Sequence, residues 1–226
     1  NRPLLPFVGQ EKYFEALTIS KERPWVLQEF IQGREYCTHS TVKNGEILLH
    51  CCCYSSDFQL RYYHTDNPTI FEWVTFFVRE LNLTGQISFD FIETESGVVL
   101  PIECNPRTHS AITSFYNSSE AANAFLASQL PSDKKTITPH PSARETYWLY
   151  YELWQLLTSK SASRVLEKLK LLLRGKEAIL DAKDPLPFLM VYHWQIPMLL
   201  VEAIWRGKPW VRIDFNIGKL VEAGGD

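Results

Sequence analysis

No stretch of this chain stays apolar for the ~20 residues that a membrane-spanning helix needs. The longest such run, Phe188 to Trp205, is broken by His193, Gln195, Pro197 and Glu202, so neither a transmembrane segment nor a membrane partner is expected. A basic segment followed by an apolar core is missing from the start, so no signal peptide is expected, and the first residue is Asn1 rather than Met. The sequence therefore reads as part of a longer protein. Positive charge is not in excess either: 23 Lys and Arg face 26 Asp and Glu, a formal net charge of -3. No global field then draws the protein to nucleic acid, which is not expected as a partner. Cysteines are few and unspaced: Cys51, Cys52 and Cys53 are adjacent, while Cys37 and Cys104 stand alone. That is no disulfide framework, and a reducing, cytoplasmic compartment is expected. Internal repeats and the H-x-x-x-H and H-E-x-x-H metal spacings are absent as well.

What is present is enough apolar material for a core. Hydrophobic residues make up 45% of the 226, aromatic residues 13% and charged residues 22%, the balance of a folded chain of one large or two small domains. Charge is uneven: residues 1–130 hold 9 basic and 15 acidic side chains, residues 131–226 hold 14 and 11. Trp25 to Ile31 reads as a strand ended by Gly33, and a second strand runs from Glu35 to about Val42. Asn44-Gly45 supplies the positive φ values of a tight hairpin whose return strand is Glu46 to Tyr54. Asn67-Pro68 opens a helix with Ile70, Phe71, Val74, Phe77, Val78 and Leu81 at helical spacing. Gly85 begins a further strand to Ile92, Ser96-Gly97 turns the chain, and Val98 to Cys104 returns.

A helix is expected from about 119 to 130, followed by a Pro- and Ser-containing linker. The boundary is placed near 140, dividing the chain into 1–140 and 141–226. Beyond it, Glu145 to Leu157 and Ala162 to Leu180 read as helices, and the proline-spaced 184–209 segment resists assignment. The fold class is α/β (α+β): an antiparallel sheet with flanking helices, followed by a mainly helical tail.

A two-residue turn at Ser96-Gly97 sets Asp90 directly opposite Glu103, with Asn105 on the same face as Glu103. At a non-hydrogen-bonded position such side chains are closest, with Cα atoms about 4.5 Å apart. Two opposed carboxylates repel unless a cation lies between them or one takes a proton. Asp, Glu and an amide oxygen are hard ligands suited to Mg²⁺, which shares its sphere with water and phosphates. Arg107, two residues on, is placed to hold a phosphate or carboxylate in a bidentate grip. A longer loop would instead put Asp90 and Glu103 on different faces and leave Arg107 as a surface counter-charge.

The run Gln28-Glu29-Phe30-Ile31-Gln32-Gly33-Arg34-Glu35-Tyr36, then Asp90, then Ile102-Glu103-Cys104-Asn105-Pro106-Arg107 resembles the ATP-grasp superfamily of carboxylate-amine ligases in order and spacing. The resemblance implies that Glu29, Phe30 and Ile31 form a hinge strand whose backbone meets adenine, and that Glu35 accepts the ribose hydroxyls. It gives Asp90, Glu103 and Asn105 to magnesium ions bridging the ATP phosphates. Arg107 would act on the transferred phosphoryl group. ATP and Mg²⁺ are then the cofactors, and a small-molecule acid or enol and an amino acid the substrates. The superfamily's glycine-rich lid and N-terminal domain are not seen before Glu29, so missing domains or a second copy of the chain are expected as partners.

A narrower resemblance lies in Asp184-Pro185-Leu186-Pro187-Phe188, Tyr192 to Pro197 and Trp210 to Lys219. These segments are similar to the ATP-grasp proteins of mycosporine biosynthesis, which implies joining of glycine to 4-deoxygadusol. The alternatives are another ligase of the superfamily making a peptide-like bond to an amino acid, and a non-catalytic nucleotide-binding module.

Other conspicuous residues read as structural. Consecutive strand residues alternate faces, so Cys51, Cys52 and Cys53 cannot converge on one ion and are expected as buried small hydrophobes. His39, His50 and His64 read as packing or surface residues. For His109 a capping role is favoured over a substrate contact. The basic 160–176 stretch, with its interleaved leucines, reads as a surface helix with a solvated basic face in preference to a membrane-surface helix.

Overall fold

A computed structural model describes residues 18–26, 29–55, 61–126 and 135–208. Its first half is a four-stranded antiparallel sheet in the spatial order Glu46–Tyr54, Arg34–Lys43, Gly85–Glu93, Val99–Asn105. β1 (Arg34–Lys43) and β2 (Glu46–Tyr54) form the expected hairpin. Asn44 and Gly45 at its tip have φ of 48° and 75°, the left-handed pair that a two-residue hairpin turn demands. A Cβ on Gly45 would lie 3.1 Å from the Arg79 Cα, so the tip needs glycine for space as well as for φ.

α1 (Pro68–Glu80) starts where Asn67-Pro68 says it should: the Asn67 side chain accepts the N–H of Ile70 at 3.1 Å, and Pro68 occupies the first turn. Its Ile70, Val74 and Val78, spaced by four, are buried against Tyr36, Cys52, Phe89 and Phe91 on one face of the sheet. The other face presents Cys37, Cys51 and Cys53 to Tyr62, Ala111 and Phe115. Alternation thus sends the cysteine triplet to both sides, and all four cysteines of β1 and β2 are buried free thiols, as expected of small hydrophobes.

The second hairpin, β4 (Gly85–Glu93) and β5 (Val99–Asn105), departs from expectation in a way that cancels itself. The turn is wider than two residues, closed by Thr94 N–H to the Val98 carbonyl at 2.9 Å, with Gly97 at φ 80°. The ladder near it pairs Glu93 with Val99 and Phe91 with Pro101. A bulge at Ile102 then restores the register, so that Asp90 pairs with Glu103 and Ser88 with Asn105. Pro101 is tolerated because β5 is an edge strand.

A six-residue 3₁₀ turn (Ser110–Phe115) and α2 (Ser119–Leu126) follow over the cysteine face. β3 (Arg61–Tyr62), β6 (Thr146–Tyr147) and β7 (Lys176–Glu177) make a small second sheet in the order β3-β6-β7. Chain contacts therefore cross residue 140: Arg61 pairs with Tyr147 and Tyr62 with Thr146. α3 (Leu149–Thr158) and α4 (Ala162–Arg174) form an antiparallel pair in the tail.

Four expectations are corrected. Glu29, Phe30 and Ile31 are not in a strand, and Trp25 and Val26 are exposed and irregular. Among the described residues no strand edge runs beside them, and β1 starts only at Arg34. Residues 27–28, within the expected strand, and 127–130 and 209–226 lie outside the described residues. The helix expected to reach Leu180 ends at Arg174 because Gly175 fits against the Leu171 carbonyl and the Tyr147 ring, where a Cβ would come within 2.7 and 2.8 Å. The segment from Glu145 begins as β6, not as helix. The fourth correction is α5: Leu186–Trp205 is one continuous 20-residue helix despite its prolines, by length and composition alone enough to cross a membrane. Pro187 sits in the first turn. Pro197, which removes an N–H and crowds a carbonyl, is accommodated by a widened turn over Val191–Gln195, where the Ile196 N–H reaches back to the Val191 carbonyl.

Candidate functional site

Strand parity builds the site. Phe89 and Phe91 point toward α1, so Asp90 between them points to the opposite face, paired across the ladder with Cys37 on one side and Glu103 on the other. Asn105 lies on the Glu103 face, its Nδ2 donating to Glu103 Oε1 at 3.1 Å. Glu35, two residues before Cys37, shares that face at its rim. Arg107 leaves the end of β5, its N–H bonded to the Asn105 carbonyl at 2.8 Å. The structure thus brings Glu35, Asp90, Glu103, Asn105 and Arg107 to one end of one sheet face.

The electrostatics of this face are unresolved within the protein. Burial first, then Glu103, pushes the Asp90 carboxyl up to about 6; Arg107 pulls it back and Glu35 adds to the rise. Asp90 Oδ1 is buried with no hydrogen-bond partner. A buried, unpartnered carboxylate oxygen in the field of a second carboxylate calls for positive charge or a proton. Among the described residues there is no cluster of three or more His, Cys, Asp or Glu side chains able to hold a metal ion, so this is not a self-sufficient cage. Two carboxylates and an amide oxygen suit an ion such as Mg²⁺ that completes its shell with water and ligand oxygens. The donor set fits such a metal on those terms.

Other expected residues are placed differently. Glu29 and Phe30 are exposed and Ile31 partly so, outside any strand, and nothing described pairs with their backbone. His109 is buried at the start of the 3₁₀ turn, where its Nδ1 accepts the Ala111 N–H at 3.1 Å. Burial and then the nearby Arg107 push its pKa down to about 4, so it is a neutral capping residue.

Two residues on the site's face escaped the sequence reading as site neighbours. His39 follows Glu35 and Cys37 in the same parity and accepts the His109 N–H on its Nδ1 at 3.4 Å, while its Nε2 is buried and unpartnered. Tyr62, fully buried, packs edge-on against the His109 ring at 5.6 Å. Parity counting along β1 would have found His39; Tyr62 arrives through a tertiary contact with no local signal. A groove of about 590 Å³ along α5 and a polar cavity of about 260 Å³ between His64 and Arg144 both lie away from Asp90 and Glu103.

No family model matches the sequence, and no curated protein matches it. Solved structures resemble parts of it. An L-amino acid ligase from Bacillus licheniformis has 22% identity over 38% of this chain and 25% of its own, with a TM-score of 0.31. N5-carboxyaminoimidazole synthetase from Staphylococcus aureus, complexed with ADP, has 13% identity over 46% and 32%, with a TM-score of 0.36. A macrocyclase from Microcystis aeruginosa has 19% identity over 45% and 40%, with a TM-score of 0.32. The chain therefore spans between 25% and 40% of the length of these proteins.

Proposed function

We propose that this chain is part of an ATP- and Mg²⁺-dependent ligase of the ATP-grasp type that forms a C–N bond through a phosphorylated intermediate. The observation that carries the reading is the opposed pair Asp90 and Glu103, with a buried, unpartnered Asp90 oxygen and Arg107 at the strand exit. Asp90, Glu103 and Asn105 would hold Mg²⁺, whose charge offsets that of the ATP phosphates. Glu35, exposed at the rim of the same face, is the acceptor for ribose hydroxyls, and the backbone of Glu29, Phe30 and Ile31 meets adenine only if that segment becomes ordered against the nucleotide.

The chemistry asks little covalent work of the protein. An oxygen of the acid or enol attacks the γ-phosphorus, the bond to the ADP oxygen breaks, and the amine of an amino acid then displaces phosphate from the activated carbon. Arg107 meets the charge that spreads over the transferred oxygens, the kind of stabilisation that is worth most at a partly desolvated face. At the finer level, glycine as the amine and 4-deoxygadusol as the enol are proposed from the tail motifs quoted above. That enol is a vinylogous acid, so its phosphorylation parallels carboxylate activation.

In the complete protein, Asp90→Asn, Glu103→Gln and Arg107→Ala should each abolish substrate-dependent ADP release. Near-normal turnover in all three would overturn the assignment. A panel of acids, enols and amines in the same assay decides the substrates, with peptide-like products pointing to the amino-acid ligase alternative.

A further inference from the structure

α4 gathers Val165, Leu166, Leu169, Leu172 and Leu173 on about a third of its circumference. An ordinary surface helix turns such a stripe inward. Here the core contact is made elsewhere on the helix. Lys168 gives its ammonium to the fully buried Glu152 of α3 at 2.8 Å, Arg61 of β3 reaches Glu167 at 3.1 Å, and Leu171 is the one buried residue of α4. Breaking a buried ion pair costs more than exposing a leucine, so the ion pairs set the rotation of α4 and the stripe is turned out. Leu166, Leu169 and Leu173 are 54%, 41% and 83% exposed. Exposed Lys170 and Arg174 flank them.

A second surface of the tail has the same character. Met190, Trp194, Met198, Val201 and Trp205 line the open groove along α5, and Trp205 is 85% exposed. Arg206, ion-paired with Glu202 of the same groove, and Lys208 follow at the helix end, and tryptophan settles at a membrane–water boundary. α5 is stitched to the tail, with Tyr192 Oη donating to Glu177 at 3.2 Å and Tyr150 Oη 2.8 Å from His193 Nε2. It is thereby held along the protein surface.

We propose that the leucine stripe of α4 binds an anionic lipid surface, lying in the headgroup region without crossing the bilayer. Charge selects this occupant. An apolar stripe edged by Lys170 and Arg174 suits acidic headgroups, whereas a second copy docking through α4 would bring these cations toward their own kind. Residues 131–226 carry 14 basic against 11 acidic side chains, whereas residues 1–130 carry 9 against 15, which turns the tail toward such a surface. The proposal does not depend on the nucleotide reading, since no residue is shared with the Asp90 face.

The test is co-sedimentation of the full-length protein with phosphatidylcholine vesicles, with and without phosphatidylserine. Pelleting is expected with the anionic vesicles and should fall as salt rises. The Lys170→Gln/Arg174→Gln pair should lower the partition coefficient about tenfold, and Leu169→Gln/Leu173→Gln by at least as much. All four positions are exposed, so the unfolding midpoint should stay unchanged in both double variants. No pelleting, pelleting that neither double variant weakens, or vesicle-free self-association that Leu169→Gln/Leu173→Gln abolishes would overturn the proposal, the last assigning the surface to a second copy.

Discussion

At the scale of single residues, the buried titratable groups divide into two kinds with opposite pH signatures. Asp90 binds its proton more tightly folded than unfolded, with a pKa raised to about 6. Its contribution to stability is therefore fully present below the unfolded value and is lost as pH rises through about 6. Asp90→Asn should stabilise the metal-free protein at neutral pH by on the order of 1 kcal/mol, after allowance for solvent screening. Mg²⁺ should raise the unfolding midpoint of the parent at neutral pH, much less so at pH near 5, and not at all in the variant; thermal unfolding with Mg²⁺ and with EDTA checks both.

His39, His50 and His109 behave the other way. Burial is the leading cause that pushes them down to about 4, 3 and 4, so the unfolded chain binds their protons first. Their stability is present above the ordinary histidine value and is lost as pH falls toward 4. The unfolding free energy from urea titration should thus drop steeply between pH 6.5 and 4.5, by a few kcal/mol in total, outweighing the gain from Asp90. A flat profile there would mean that these rings are solvated.

At the scale of elements, the strongest local signals decided the outcome without help. Asn67 caps α1 through one side-chain bond to Ile70, and Asn67→Ala should cost about 1 kcal/mol. Gly45→Ala should cost about 1–2 kcal/mol, because the left-handed φ of 75° and the Arg79 backbone both oppose a Cβ. Urea denaturation of either variant with unchanged slope is the check.

The β4–β5 hairpin shows how a local reading can be right by compensation. Its turn has one more residue than Ser96-Gly97 alone, and the bulge at Ile102 takes that residue back, so Asp90 still meets Glu103. Turn length was not legible because Thr94 closes the loop with its side chain as well as its backbone, Oγ1 accepting the Val98 N–H at 3.1 Å. The Trp25–Ile31 run has the composition of a strand, yet pattern says only that a segment suits a sheet and does not supply the neighbour it must bond.

At the scale of the whole molecule, the tail is tied to the sheet domain by charge. Arg61 of β3 reaches Glu145 at 2.9 Å and Glu167 at 3.1 Å, and Lys168 neutralises the fully buried Glu152. Lys168→Ala leaves that carboxylate with only Arg61, 3.9 Å away, and should cost about 3 kcal/mol, whereas Lys168→Met with Glu152→Leu together should be close to neutral. A double variant as damaged as the single one would show that shape rather than charge decides the joint. Glu177 is a second buried carboxylate holding tail segments together. It accepts the N–H groups of Ile179 and Leu180 and the Tyr192 hydroxyl, gathering β7, its following loop and α5. Neither network is visible in a linear reading, since its members come from distant parts of the chain.

Periodicity and turn chemistry alone settled the β1–β2 hairpin and α1, because these depend on backbone rules that act over a few residues; the pairing of Asp90 with Glu103 needed the bulge at Ile102 as well. Tertiary structure decided which polar groups lose water. Burial left Asp90 Oδ1 without a partner, drew His109 into a cap, turned the α4 leucines outward and let α5 run on through Pro197. Desolvation depends on everything packed around a group, and that sum is made only when the chain is folded.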